Sequence, residues 1–410
     1  MLRAGRMIGS DDAAKTLLKR VKQTASLVDS LSQLKGAAMK AGQLLSIEAS
    51  DFLPPEITAV LRELYEESAF MPLADVERIL LRELGHERLE QIKDLSPEPV
   101  ASASIGQVHR ATIKGKTVAV KVQFPGVATS IDADLGLLKK LVQGFLIAGN
   151  KPIPVDELFE GLAANLRREV NYTLEAESVL AYRRGFAGIE GYVVPELYAD
   201  FTTERVITMS FEEGVRLVDW IRSGPTPAEK MAFASRIVTL LGTEFFRLGL
   251  VQTDPNYGNF LYRPNTGQLV LLDFGATYPF DVAFRHGYRK LAQMVMIGSD
   301  TKIMAQAEVM KVFDRRESVR AKDAFLVMVE AMIAPFVVER QPFDFGDLNY
   351  LKKMRESVLT FVGELRHTAP PRDIVFLNRK LGGMFHLLKE LGAKLDLVPF
   401  WKLMNDLPIE

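Results

Sequence analysis

The chain has 410 residues, a formal charge of −1, and 48% hydrophobic against 25% charged residues, a balance that fits two globular lobes and excludes broad electrostatic attraction to nucleic acid. It has no cysteine, which excludes disulfides, thiolate metal sites and thiol catalysis, and its five histidines include no pair at helical metal spacing, against a zinc centre. No run of about eighteen apolar residues exists to span a bilayer. The N-terminal Met-Leu-Arg-Ala-Gly-Arg-Met lacks the apolar core of a signal peptide, so the expectation is a soluble, cytoplasmic protein with peripheral membrane contact at most.

In chain order, apolar periodicity predicts helices over 11–92, with breaks at Pro54-Pro55 and Met71-Pro72. Lys15, Lys19, Arg20 and Lys22, interleaved with Leu17, Leu18 and Val21, form a basic amphipathic stretch that reads as a solvated helix or as a contact for anionic lipid. The helix over 31–49 is rich in small residues, and Lys40 and Gln43, three apart beside Gly42, share one face of it. Spacing alone also allows a solvated lysine there. Strands are predicted over 97–124 around a turn at Lys114-Gly-Lys116, helices over about 129–186, and strands again near 192–209. An amphipathic helix over 228–249 leads to strands at 260–262 and 269–272, joined by Pro264-Asn-Thr-Gly267. The remainder, 281–404, reads as mostly helix.

The chemistry gathers at the end of that amphipathic helix. Gln252-Thr-Asp254-Pro-Asn-Tyr-Gly-Asn259 is followed, after a short apolar stretch, by Leu272-Asp273-Phe274-Gly275. An acid, an amide five residues on, and then a second acid closing a Val/Leu run is the order of base, metal amide and metal carboxylate in a phosphoryl-transfer site of kinase type. A triphosphate brings about four negative charges, so Mg²⁺ must bridge its oxygens, and Mg²⁺ takes hard oxygen ligands. Asp273 and Asn259 supply such oxygens, and Asp254 is placed to act on the attacking hydroxyl or water. Asp-Phe-Gly alone is weak evidence, because Asp-x-Gly is an ordinary turn. The ordered set carries the reading.

Such a site needs a lysine on a strand. In Thr117-Val-Ala-Val-Lys121-Val-Gln-Phe124, Val118, Val120, Val122 and Phe124 share one face, and Lys121 points from the other. The segment matches the Val-Ala-Ile-Lys type, whose ammonium contacts nucleotide phosphates and a helix glutamate. Glu169, Glu175 and Glu177 are the candidates for that glutamate, and spacing does not choose among them. Before the lysine strand, Ala101-Ser102-Ala103-Ser104-Ile105-Gly106 offers one glycine where kinases place three. That restricts the approach of backbone to phosphate.

Lys40-Ala-Gly42-Gln43 and Ala101-Ser-Ala-Ser104 resemble the Lys-x-Gly-Gln motif and alanine-rich loop of the UbiB (AarF) family of atypical kinase-like proteins. The wording around Asp254 and Asp273 is similar to the branch that includes the mitochondrial coenzyme Q proteins. The resemblance covers about 30–403, including Pro342-Phe-Asp-Phe-Gly346 and Arg379-Lys-Leu-Gly-Gly383. It implies an α+β, two-lobed protein-kinase-like fold: an N-terminal helical extension (1–95), an N-lobe with inserted helices (96–208) and a mostly helical C-lobe (209–410).

By the same resemblance Glu175 is the partner of Lys121. Glu169 and Asn171 stand at the family's Glu-x-Asp motif, thought to hold the Lys-x-Gly-Gln lysine over the active site against protein substrates. Here the second acid is an amide, which leaves Lys40 one fewer charged partner. Ala101 to Gly106 would cover nucleotide, and the Met209-Ser-Phe211-Glu212-Glu213-Gly214 hinge would meet adenine. The implied cofactors are ATP and Mg²⁺. The implied activity is that of an ATPase or small-molecule kinase supporting coenzyme Q or isoprenoid lipid metabolism, with a prenylated lipid or quinone precursor as partner and the inner membrane surface as a place of peripheral contact. The alternatives are a protein kinase and a non-catalytic, nucleotide-gated lipid-binding scaffold.

Overall fold

The computed structural model describes residues 70–103, 105–148, 155–254, 256–368 and 371–409. The helices expected before residue 70, with Lys40, Gly42 and Gln43, and the loop residue Ser104 lie outside the described residues. The chain divides into two units. The first takes Met1–Ala176 and Leu197–Phe211, and the second Glu177–Glu196 and Glu212–Glu410. The boundary expected at 208/209 thus falls at 211/212, and residues 177–196, expected in the N-lobe, belong to the second unit.

The first unit is a helix on a five-stranded sheet, followed by further helices. Helix α1 (Leu73–Leu89) precedes β1 (Ile92–Lys93), β2 (Ala101–Ala103), β3 (Gly106–Ile113) and β4 (Lys116–Gln123), and then come α2 (Val127–Ala148), α3 (Val155–Glu169) and α4 (Tyr172–Gly185), whose residues from Glu177 on, Tyr182 among them, belong to the second unit. Strand β5 (Tyr192–Val193) lies in the second unit, and β6 (Val206–Ser210) returns to the first. The order is β1-β3-β4-β6, with β2 on β3 and every pairing antiparallel. Lys114 (φ 50) and Gly115 (φ 76) form the β3–β4 turn with positive φ at both central residues, the geometry that matches strand twist. The alternation of β4 does what it predicts: Val118, Val120 and Val122 are fully buried against Val76, Ile79, Leu80 and Leu84 of α1, with Phe124 packed alongside. Burying each such side chain contributes roughly 1.5–3 kcal/mol. This face therefore fixes the register that turns Lys121 to the other side.

In the second unit β7 (Val215–Arg216) and α5 (Leu217–Arg222) precede α6 (Pro227–Gly242), which starts on a capping box between Thr226 and Glu229. The helix expected over 228–249 changes character at residue 243. Thr243–Leu248 widens into a π-helical turn and ends at Gly249 in the left-handed region (φ 67). Next come β8 (Leu250–Gln252), β9 (Phe260–Arg263), β10 (Gln268–Leu271) and β11 (Thr277–Pro279). They form a four-stranded sheet, β5-β10-β9-β7, and a separate β8–β11 ladder. The rest is helical as expected: α7 (Val282–Ile297), α8 (Asp300–Val309), α9 (Val319–Ile333), α10 (Leu348–Glu364), α11 (Arg372–Glu390) and α12 (Val398–Asp406). One short ladder, β12 (Phe343–Asp344) with β13 (Lys394–Leu395), interrupts them. Phe313, Phe325 and Phe361 centre one core, and Phe245, Phe246, Phe280 and Leu377 another. Among the described residues no helix is long and apolar enough to cross a membrane.

Candidate active site

In the first unit, Lys121 on β4 meets Glu175 in the first turn of α4. Its Nζ lies 3.0 Å from both carboxylate oxygens, with the two side chains 9% and 1% exposed. The ammonium also sits over the Tyr172 ring at 5.0 Å. Of the three candidate glutamates, the structure therefore brings Glu175 to the lysine. Asn171 precedes α4, and its Oδ1 accepts from the backbone N–H and hydroxyl of Thr173. The amide at the Glu-x-Asp position thus caps the helix that carries Glu175. Glu169 is the last residue of α3.

The single glycine of the small-residue loop has a packing reason. A Cβ on Gly106 would lie 2.4 Å from the Val122 carbonyl oxygen and 2.8 Å from the Tyr172 hydroxyl, so β3, β4 and α4 close only over a hydrogen. Ala101 and Ser102 are exposed, Ala103 is half-buried and Ile105 is buried. At the expected hinge, Met209 is buried opposite Ala119, and Phe211 donates its N–H to the Thr117 carbonyl while Arg110 stacks on its ring. The amide of Phe211 is thus engaged by β4.

In the second unit, two ladders deliver Asp254, Asn259 and Asp273 to one place. The β8–β11 ladder continues past Gln252↔Thr277 as Thr253 N–H and Oγ1 donate to the Ala276 carbonyl. The β9–β10 hairpin continues past Phe260↔Leu271 as Leu272 N–H donates to the Asn259 carbonyl. The loops 253–259 and 272–276 are therefore laced together at both ends. Asp254 Oδ1 accepts from Asn256 N–H, Asn259 Nδ2 reaches the Asp254 carbonyl at 3.5 Å, and Asp273 Oδ1 accepts from Gly275 N–H at 2.8 Å. Asp254 and Asn259 are buried and Asp273 half-buried.

Among the described residues no three His, Cys, Asp or Glu side chains cluster as a metal cage. Mg²⁺ does not require one, because it is held by one or two protein oxygens together with phosphates and water. A carboxylate and an amide on laced loops fit that demand, so Asp273 and Asn259 are a sound donor set.

Several residues of this region were missed by sequence reasoning. Arg379 on α11 places Nη2 3.8 Å from Asp254 Oδ1, each side chain 7% exposed. The next residue, Lys380, reaches Glu244 Oε2 in the π-helical turn at 2.8 Å. Burial pushes the Glu244 carboxyl up from its ordinary value, against Lys380, Tyr182 and Gln252, which pull it down. The available signal was positional: Lys380 falls on the same buried stripe of α11 as Leu377, Leu387 and Leu388, and Glu244 continues the stripe of Phe233, Ile237 and Leu240. A charge on an apolar stripe calls for a buried partner.

A family model described as the ABC1 atypical kinase-like domain matches residues 63–308, more than half of the chain. The chain belongs to this family. Among curated relatives of this ABC1 member, the atypical kinase COQ8B, mitochondrial, of Danio rerio is 30% identical over 90% of this chain and 58% of its own length. The atypical kinase COQ8, mitochondrial, of Schizosaccharomyces pombe is 29% identical over 94% of this chain and 63% of its own, and its Saccharomyces cerevisiae counterpart 29% identical over 96% and 78%. The chain thus spans about three-fifths of the length of the first two. A solved Rv3197–erythromycin complex from Mycobacterium tuberculosis matches with a TM-score of 0.63 and 27% identity, covering 98% of this chain and 99% of that one. The α+β kinase-like reading holds, and the chain is an ABC1 atypical kinase-like protein.

Proposed function

We propose that the chain binds MgATP and hydrolyses it or passes its γ-phosphoryl group to a small acceptor, in support of coenzyme Q or related isoprenoid lipid metabolism. The observation that carries this is the Lys121–Glu175 pair. A buried ion pair is weak as a stabilising device, since apolar side chains of like volume do as well, so its presence on a strand of Val-Ala-Val-Lys type argues for use on a ligand. Glu175 holds the ammonium of Lys121, which would bind phosphate. Asp273 and Asn259 would hold Mg²⁺, which would supply charge neutralisation for the phosphates. Asp254 orients the nucleophile and takes its proton. The guanidinium of Arg379, 3.8 Å from Asp254 Oδ1, would hold that carboxylate in place.

The metabolic assignment draws on relatives named COQ8, and a peripheral place on a membrane surface goes with it. The test is to incubate the purified chain with γ-labelled MgATP, a polyprenylated phenol and a generic protein substrate, and to follow the label. The reading predicts label in inorganic phosphate or on the small acceptor, lost with EDTA. Label on protein instead makes the chain a protein kinase, and nucleotide binding without label transfer makes it a scaffold.

A further inference from the structure

The Lys380–Glu244 pair ends on a third group. Tyr182 of α4 donates its hydroxyl hydrogen to Glu244 Oε1 at 2.9 Å, and the Tyr182 hydroxyl oxygen accepts the backbone N–H of Gln252 at 2.9 Å. The Leu250 carbonyl lies 3.2 Å away. Tyr182 is fully buried, and its ring meets Phe274 of Asp-Phe-Gly edge-on at 4.9 Å. One side chain thus touches the strand that enters the Asp254 loop through its oxygen and the Asp273 turn through its ring. Across the β8–β11 ladder, Gln252 and Thr277 face each other with both side chains buried. The interior behind the two loops is polar where a protein ordinarily places hydrocarbon.

That choice needs a reason. An apolar replacement of a buried ion pair is often neutral or stabilising, so an ammonium, a carboxylate and a phenol in series are not explained by stability. What they add is direction: each bond fixes the next group, and the last fixes the Gln252 amide two residues before Asp254. We infer that Tyr182, held by Glu244 and Lys380, is the positioning residue of this site, setting the Asp254 loop and the Asp273 turn in register for the chemistry proposed above. The inference rests on that proposed function for its catalytic consequence but not for its geometry. A misplacement of about 1 Å at a reacting group costs on the order of a hundredfold in rate, so loss of one hydroxyl is a sensitive probe.

The experiment compares the full chain with Tyr182→Phe, which keeps the ring against Phe274 and removes the oxygen. Steady-state MgATP turnover in the variant is expected to show kcat reduced about ten- to a hundredfold, with KM within twofold, at an unchanged folded fraction. A kcat within twofold of the parent overturns the inference. Should the variant not fold, hydrogen exchange in the parent protein decides. The Gln252 amide is expected to be as protected as the β4 amides, and exchange as fast as an exposed loop overturns the inference. A parent protein with no turnover sinks the proposed function alone, because the Gln252 amide still reports on the hydroxyl.

Discussion

Asp-Phe-Gly occurs twice in the second unit, at 273–275 and at 344–346, and both copies fold into the same turn. In each, the aspartate Oδ1 accepts the glycine N–H at 2.8 Å and the phenylalanine is buried. Their surroundings differ. Asp273 closes the β10 edge of two laced loops, beside Asn259 and Asp254, and Phe274 rests on Tyr182. Asp344 ends a two-residue strand and pairs at 2.9 Å with Lys394, their side chains 41% and 65% exposed, while Phe345 packs on Phe343 and Phe385. The tripeptide specifies a turn, and the elements around it decide whether the carboxylate has anything to do.

The largest effects that probe this contrast lie in the buried supports. Lys380→Ala leaves the Glu244 carboxylate uncompensated in the interior and is expected to cost about 3–5 kcal/mol in denaturant unfolding, whereas Lys394→Ala, removing an exposed partner of Asp344, costs about 0–1 kcal/mol. Comparable losses would erase the distinction between the two settings. Phe274→Ala and Phe345→Ala should destabilise alike, by about 3–5 kcal/mol each. Only the first should lower MgATP turnover per folded molecule, by about tenfold or more.

A smaller effect is expected in the first unit. Gly106→Ala forces a methyl against the Val122 carbonyl, and unfolding should register a loss of about 1–3 kcal/mol. If stability holds and only nucleotide affinity falls, the glycine serves phosphate and not packing. The smallest effect is in pH. Lys394 and then the Gly346 N–H hold the Asp344 carboxyl below its ordinary value. The native state then binds fewer protons than the unfolded chain in that range, so the pair's contribution is present above the ordinary carboxylate pKa and fades as pH falls through the lowered one. Stability profiles of the parent and Asp344→Asn should converge on the acid side. An acid slope identical in both would contradict this.

Much of the first unit was legible in the chain. Period-two alternation from Val118 to Phe124 fixes both the buried face and the side of Lys121, because a one-residue slip would expose three valines. The Asp254, Asn259, Asp273 order was legible because each of these polar residues stands close to an end of a short apolar strand run, where the chain turns. The supports of that site were not. Tyr182, Glu244 and Lys380 come from three helices separated by 62 and 136 residues, and each reads locally as an ordinary helical position. The β12–β13 ladder escaped for a related reason, since two-residue strands about fifty residues apart carry no periodic signal. Arg379-Lys380 entered the sequence reading only as part of the family resemblance, and the burial of Lys380 follows from the stripe it shares with Leu377, Leu387 and Leu388.

The most direct measurement is MgATP turnover by the full chain with one aspartate of each tripeptide changed in turn. Asp273→Asn is expected to lower kcat by about a hundred- to a thousandfold, while Asp344→Asn, folding through the same turn, stays within twofold of the parent. Equal turnover in the parent and Asp273→Asn would contradict the account, and an equal loss in both variants would contradict the placement of chemistry at 273.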